Sequence, residues 1–175
     1  MTILANPTIK FLLAHPAHFF GLGFGSGLAS KAPGTFGTLV GFPLFWLIFN
    51  YSLDVQLIII AALFLVGVYF CDVTGKALGV ADHGGIVWDE IVAMMLVLTV
   101  TPPHWAGWLV AFLLFRLFDI WKPFPIRYFD AKLKNGFGVM FDDLLAAAYA
   151  MASMWLIFYL YLYWISDGGT RHIVN

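Results

Sequence analysis

Five apolar runs divided by short polar stretches limit what this chain can fold into. They occupy 36–53, 55–71, 91–101 (with an onset near Ile86), 105–121 and 144–165. A helix needs about 20 residues to cross ~30 Å of hydrocarbon. The second and fifth runs reach that length alone or nearly so. The third and fourth reach it only when their charged ends are counted. Charged residues make up 11% of the chain and hydrophobic ones 62%, whereas a soluble domain carries about a quarter charged residues. Too few polar side chains are available to cover the surface, so lipid must solvate part of it.

The expected architecture is all-α: a polytopic membrane helical bundle of about four to five transmembrane helices, forming one domain over 1–175. Pro102 and Pro103 break the third run from the fourth, because proline cannot continue a helix. A buried helical hairpin in a partly soluble protein is the plainer alternative for those two runs. Residues 8–30 are apolar but broken by Pro16 and by the alternating Gly21, Gly23, Gly25 and Gly27. They read as a re-entrant or interfacial segment, since irregular backbone at membrane depth must be sheltered by protein. Residues 166–175 read as a C-terminal tail.

Composition also removes some functions. The net charge is -1, so no basic field points to nucleic acid. Cys71 is the single cysteine, which rules out an internal disulfide and any Cys-x-x-Cys site. The N-terminus has no clear cleavage site of a signal peptide, so the apolar helices themselves are expected to direct insertion.

Threading the five runs across a bilayer places Lys31, Lys76, Arg116, Lys122, Arg127, Lys132 and Lys134 on one side, and Lys10 too when the N-terminal segment does not cross. The other side holds Arg171 alone. The excess of basic residues makes the first side cytoplasmic. The same threading brings every polar motif to that side, which argues for one active site on the cytoplasmic face.

Four motifs lie there. Lys31-Ala-Pro-Gly-Thr35-Phe-Gly-Thr38 leads into a helix, with Thr35 as a candidate N-cap. A helix start of this kind can receive a phosphate, and Lys31 adds charge. The plainer reading is a capped helix start. Asp82-His83-Gly-Gly-Ile-Val-Trp-Asp89-Glu90 opens a helix from about Gly85, with two adjacent acids at the favourable end of its dipole. Arg116, Asp119 and Lys122 follow at i, i+3 and i+6, sharing a helical face that can hold a phosphate or form an internal ion-pair ladder. Lys134-Asn-Gly136-Phe-Gly138-Val-Met-Phe-Asp142-Asp143 is a glycine loop feeding a helix that begins with two acids. Capping by Asp142 is its plainer reading.

Carboxylates at the mouths of apolar helices are costly and mark function. Asp89, Glu90, Asp142 and Asp143 suit a hard divalent ion such as Mg²⁺, which takes carboxylate, water and phosphate oxygens. No histidine cluster favours zinc. No covalent nucleophile stands out, so a metal-activated water attacking phosphorus fits this inventory best.

In this order, GFGSGLASKAPGTFGTL, DHGGIVWDE, FRLFDIWKPFPIRYFD and GFGVMFDD resemble the phosphatidylglycerophosphatase A family, from about Gly21 to Ala150. The resemblance implies a bacterial inner-membrane, Mg²⁺-dependent lipid phosphatase converting phosphatidylglycerophosphate to phosphatidylglycerol and phosphate. Thr35, Asp89, Glu90, Arg116, Asp119, Lys122, Asp142 and Asp143 fall on its motif positions. On this expectation Asp89, Glu90, Asp142 and Asp143 hold metal, while Lys31, Thr35, Arg116 and Lys122 bind phosphate. Asp89, Asp143 and Asp119 are the candidate catalytic acids. Two other classes are weighed against it. A CDP-alcohol phosphatidyltransferase would need a longer DG…AR…G…D…D pattern, which is absent. A small transporter built on an Arg116–Asp119 pair would spread its charges along a path across the membrane.

Overall fold

A computed structural model describes residues 6–171, with side chains described through Ser166. Every regular element among the described residues is helical. In chain order these are α1 (Ile9–Ala14), α2 (Pro16–Gly21), a 3-10 segment (Gly23–Leu28), α3 (Pro33–Ile48), α4 (Leu53–Leu78), α5 (Trp88–Leu98), α6 (Trp105–Trp121), α7 (Ile126–Lys132) and α8 (Gly136–Arg171). Each of the five apolar runs becomes one helix. The expected tail from 166 continues α8 as far as Arg171, and the residues beyond it lie outside the described part.

The centre of the fold is α5. It is short, 11 residues or about 16 Å of rise. A helix that is apolar on every side belongs inside a protein, and of α5 only Glu90 and Leu96 escape full burial. Helices α3, α4, α6 and α8 pack around it. Part of the hairpin alternative therefore holds, because α5 is buried. Its partner α6 instead turns Leu109, Leu113, Leu117 and Ile120 outward.

Small residues let α3 lie close against α5. A Cβ at Gly37 would lie 2.5 Å from Cβ of Val87, and one at Gly41 would lie 3.0 Å from the Ile91 carbonyl oxygen. Membrane helices use such glycine-lined contacts to bring backbones together. The first turn of α8 meets α4 in the same way, since a Cβ at Gly136 would lie 2.6 Å from the Asp72 backbone nitrogen.

The N-terminal segment is built from pieces too short to cross a bilayer. Helices α1 and α2 have six residues each, about 9 Å of rise. The segment is fastened inward instead. Thr74 donates its hydroxyl to the Ala17 carbonyl at 3.0 Å, and the Val87 N–H donates to the Gly21 carbonyl at 2.9 Å. Gly23 and Gly25 take positive φ, 54° and 102°, which a residue without a Cβ adopts at little cost. The effect is to brace the loop that precedes α5.

By length and composition, α4 and the 136–166 part of α8 can cross a membrane. Both carry large apolar side chains on the outside, with Leu65 69% and Trp155 70% exposed. Helices α3, α5 and α6, with 16, 11 and 17 residues, fall short of the about 20 that a full crossing needs.

The α3–α5 contact gives a direct prediction. Gly37→Leu is expected to overpack it and to destabilise the fold by about 1–3 kcal/mol. Gly84→Ala, where an added Cβ meets nothing within 4 Å, is expected to have no effect. Thermal unfolding of the two variants in detergent checks the contrast.

Candidate active site

Helix α5 begins later than its sequence suggests. The ring of His83 accepts the Gly85 N–H at 3.0 Å, and Val87 is tied to Gly21, so the helix starts at Trp88 and not near Gly85. Asp89 and Glu90 therefore occupy its first turn, where the helix dipole favours anions. Trp88 anchors this start by donating its indole N–H to the Leu63 carbonyl of α4 at 3.2 Å.

Two other helix starts also differ from expectation. Helix α3 begins with Pro33 at its first position after Ala32, which holds a left-handed conformation at φ 49°. Proline is pre-set for that position. Thr35 is therefore inside the first turn and does not cap it. Helix α8 starts at Gly136, where Asn135 accepts the Gly138 N–H at 2.9 Å. Asp142 and Asp143 consequently lie in its second turn, free of any capping role. The glycines Gly136 and Gly138 press against Asp72 and Leu133, leaving no open loop around a ligand.

These shifts bring three acids together. One carboxylate oxygen from each of Asp89, Glu90 and Asp143 lies within 4.8 Å of the others. Asp89 and Asp143 are buried, at 6% and 3% exposure, and Glu90 is nearly so. Asp89 Oδ1, Glu90 Oε2 and Asp143 Oδ2 are enclosed without a hydrogen-bond partner among the described residues. Like charges this close cannot all persist unless a cation or a proton joins them. Three carboxylates this close, each with one oxygen left without a hydrogen-bond partner, fit the donor set of a hard divalent cation.

Asp142 is placed apart from this trio. Its carboxylate accepts from the Lys122 ammonium, which also sits 3.4 Å from Asp130 on α7. Lys134 approaches the same Asp130 oxygen at 3.2 Å. Burial acts to lower the proton affinity of Lys122, but Asp142, then Asp130 and Asp82, outweigh it and hold the ammonium above the usual lysine range. It is a fixed positive charge at neutral pH.

The Arg116–Asp119–Lys122 stripe divides at the end of α6. Lys122 leaves the helix at φ 46°, ahead of Pro123, and turns toward Asp142. Arg116 stays with Asp119, its ion-pair partner, and reaches Glu90 at 3.7 Å and the Thr38 hydroxyl at 3.4 Å. Thr38, fully buried, donates to the Gly34 carbonyl at 2.8 Å. Asp119 also stands close enough to Asp143 to interact with it electrostatically. A Cβ on Gly34 would collide with Glu90 Oε1 and lie 3.1 Å from the Arg116 guanidinium. The first turn of α3 thus closes one wall of the site. Thr35 sits on that turn, half-buried, and Lys31 is exposed just before it.

All four motifs therefore converge at one end of the bundle. Sequence spacing did not single out Thr38, Gly34 and Asp130 as members of the site. The KAPGTFGT motif contains the first two. Asp130 stands eight residues from Lys122, with Pro123 and Pro125 between them, so no helical spacing links that pair, while its other partner Lys134 lies at i+4.

The phosphatidylglycerophosphatase A family model matches residues 19–158. A Haemophilus influenzae protein named phosphatidylglycerophosphatase A is 50% identical over 156 residues, covering 88% of this chain and 96% of the relative. The Escherichia coli K12 protein of the same name is 37% identical over 149 residues, covering 85% and 87%. A Bacteroides thetaiotaomicron protein, named provisionally as a phosphatidylinositol-3-phosphatase, is 34% identical over 139 residues, covering 74% and 86%. No solved structure matches. The matched span contains all four motifs and every residue of the acid cluster and its cationic partners, and the chain belongs to the phosphatidylglycerophosphatase A family.

Proposed function

We propose that this chain removes the terminal phosphate of phosphatidylglycerophosphate, yielding phosphatidylglycerol and inorganic phosphate. The names of its relatives support the substrate. The observation that carries the chemistry is the trio of close carboxylates, each with one enclosed oxygen that lacks a hydrogen-bond partner, beside two cations, Arg116 and Lys122.

Asp89, Glu90 and Asp143 are the residues that would hold Mg²⁺. Asp142, expected to join them, is engaged by Lys122 and is assigned to the phosphate side of the site. When bound, the divalent ion neutralises charge on the phosphate oxygens and makes a bound water more acidic. The chain's own groups do the rest. Arg116 and Lys122 turn from their carboxylate partners to the phosphate oxygens as the substrate enters. Arginine offers a planar fork suited to such an anion, and lysine a point charge. Thr35 and Lys31, at the start of α3, complete the phosphate side. Asp89 or Asp143 orients the attacking water and takes its proton on a carboxylate oxygen, and that proton passes to the glycerol oxygen as its bond to phosphorus breaks. Asp119 keeps the guanidinium of Arg116 aimed at the site.

The surroundings suit a lipid headgroup. Outward-facing leucine, isoleucine and tryptophan on α4, α6 and α8 support a multi-pass protein of the bacterial inner membrane, with α3, α5 and α6 joining the two longer helices. The distribution of Lys and Arg supports a cytoplasmic position for the acids. Single cysteines introduced at Lys132 and at Pro103 in a Cys71→Ala background test this. An impermeant thiol reagent added outside intact spheroplasts should label position 103 and spare position 132.

Phosphate release from phosphatidylglycerophosphate should require added Mg²⁺ and stop with EDTA. Asp89→Asn and Asp143→Asn are each expected to lower kcat by about 100-fold or more, as loss of a central electrostatic group does. If both variants kept full activity, the trio would not be the catalytic centre.

The division between the two neighbouring aspartates is also measurable. Asp143→Asn should raise the half-saturating Mg²⁺ concentration by about tenfold or more, within the range that losing groups of a metal site produces. Asp142→Asn should leave that concentration near the wild-type value and raise KM instead.

A further inference from the structure

On α5, Asp89, Val92, Ala93 and Leu96 stand at i, i+3, i+4 and i+7 and so line one face of the helix. Opposite them, α4 offers Ile60 and Phe64, and α8 offers Met140 and Leu144. Between these three helices runs a cavity of about 350 Å³ in which Asp89 is the one ionisable lining residue. From Asp89 to Leu96 it follows about 10 Å of helix rise. Its rim includes Leu57 and Leu65, both exposed on the outer, apolar surface of α4.

We propose that this groove holds an acyl chain of the lipid whose headgroup is processed at the acid cluster, an inference that rests on the lipid phosphatase reading above. The groove is continuous with that cluster, because Asp89 belongs to both. An apolar cavity of this kind stays dry and takes up an apolar guest. A peptide would bring backbone N–H and C=O groups against walls that offer them no partner. A soluble phosphomonoester would leave the groove empty. An amphiphile with an anionic head and a hydrocarbon tail matches both ends at once. A larger cleft of about 850 Å³ lies among Thr101, His104, Met154 and Tyr161, at the opposite end of α5 from the acids. It cannot share a ligand with them in the same way.

Ala61 and Ala93 line the groove and carry no catalytic group. Ala61 is exposed, so a larger side chain there need not disturb the fold, whereas Ala93 sits deeper. The test compares Ala61→Phe and Ala93→Leu with wild type on two substrates. One is phosphatidylglycerophosphate with two long chains, and the other is its deacylated, water-soluble headgroup. Ala61→Phe should lower kcat/KM for the long-chain lipid by about tenfold or more, the equivalent of two or so buried methylenes. It should leave kcat/KM for the headgroup unchanged, and Ala93→Leu should follow the same pattern. Long-chain turnover by both variants at the wild-type level overturns the groove. Equal loss on both substrates also overturns it, since a filled groove spares a substrate without a chain. If wild type hydrolyses neither substrate, the phosphatase reading fails. The groove is then judged by equilibrium binding of dodecyl phosphate. Weaker binding to Ala61→Phe than to wild type supports it, and equal binding overturns it.

Discussion

Three carboxylates packed around one point impose the condition that the rest of the bundle satisfies. Asp89, Glu90 and Asp143 come from two helices, and their oxygens approach within 4.8 Å. Mutual repulsion at that range would drive α5 and α8 apart unless something held them together. What holds them is apolar burial along the remainder of both helices, where Val92, Met95, Ala146, Ala147 and Ala150 are all buried. The small alanines of α8 admit the close approach that brings Asp143 to α5. Function and packing thus oppose each other locally, as strained or charged sites commonly do.

Around the trio the charges sort into two sets. Arg116 links Glu90 to Asp119, and its geometry depends on Thr38 and on the absence of a side chain at Gly34. Lys122 links Asp142 to Asp130 and so ties α6, α7 and α8 together. Both cations are ion-paired before substrate arrives, as buried charges must be, although Arg116 Nε has no hydrogen-bond partner among the described residues. An incoming phosphate therefore competes with carboxylates for cations already in position.

Much of this was legible in the sequence. The run 105–121 matches α6 at both ends, because a proline pair precedes it and Pro123 follows it. The convergence of four polar motifs followed from counting crossings. The starts of α3 and α8 were less legible. At α3 the cap is a backbone device, Ala32 in a left-handed conformation before Pro33, and no side chain announces it. At α8 the glycines suggested a loop, yet they are helical residues pressed against neighbours. The separate destinies of Asp142 and Asp143 were invisible, because adjacent residues on a helix point about 100° apart and only the tertiary partners distinguish them. Lys122 likewise departs from its stripe because the helix ends beneath it.

The shortness of α5 has a consequence for how such a protein tolerates its surroundings. The chain turns back after Leu98, far short of a full bilayer crossing. The Thr99 and Thr101 hydroxyls donate to the Leu96 and Val97 carbonyls, and the His104 ring accepts the Ala106 and Gly107 N–H groups. The turn thus satisfies part of its own backbone. In a multi-pass arrangement, the distance from the acids to this turn is fixed by protein contacts alone. A thicker or thinner bilayer would be met by tilting α4 and α8, the helices with apolar length to spare. The site would keep its shape while its outer helices adjusted.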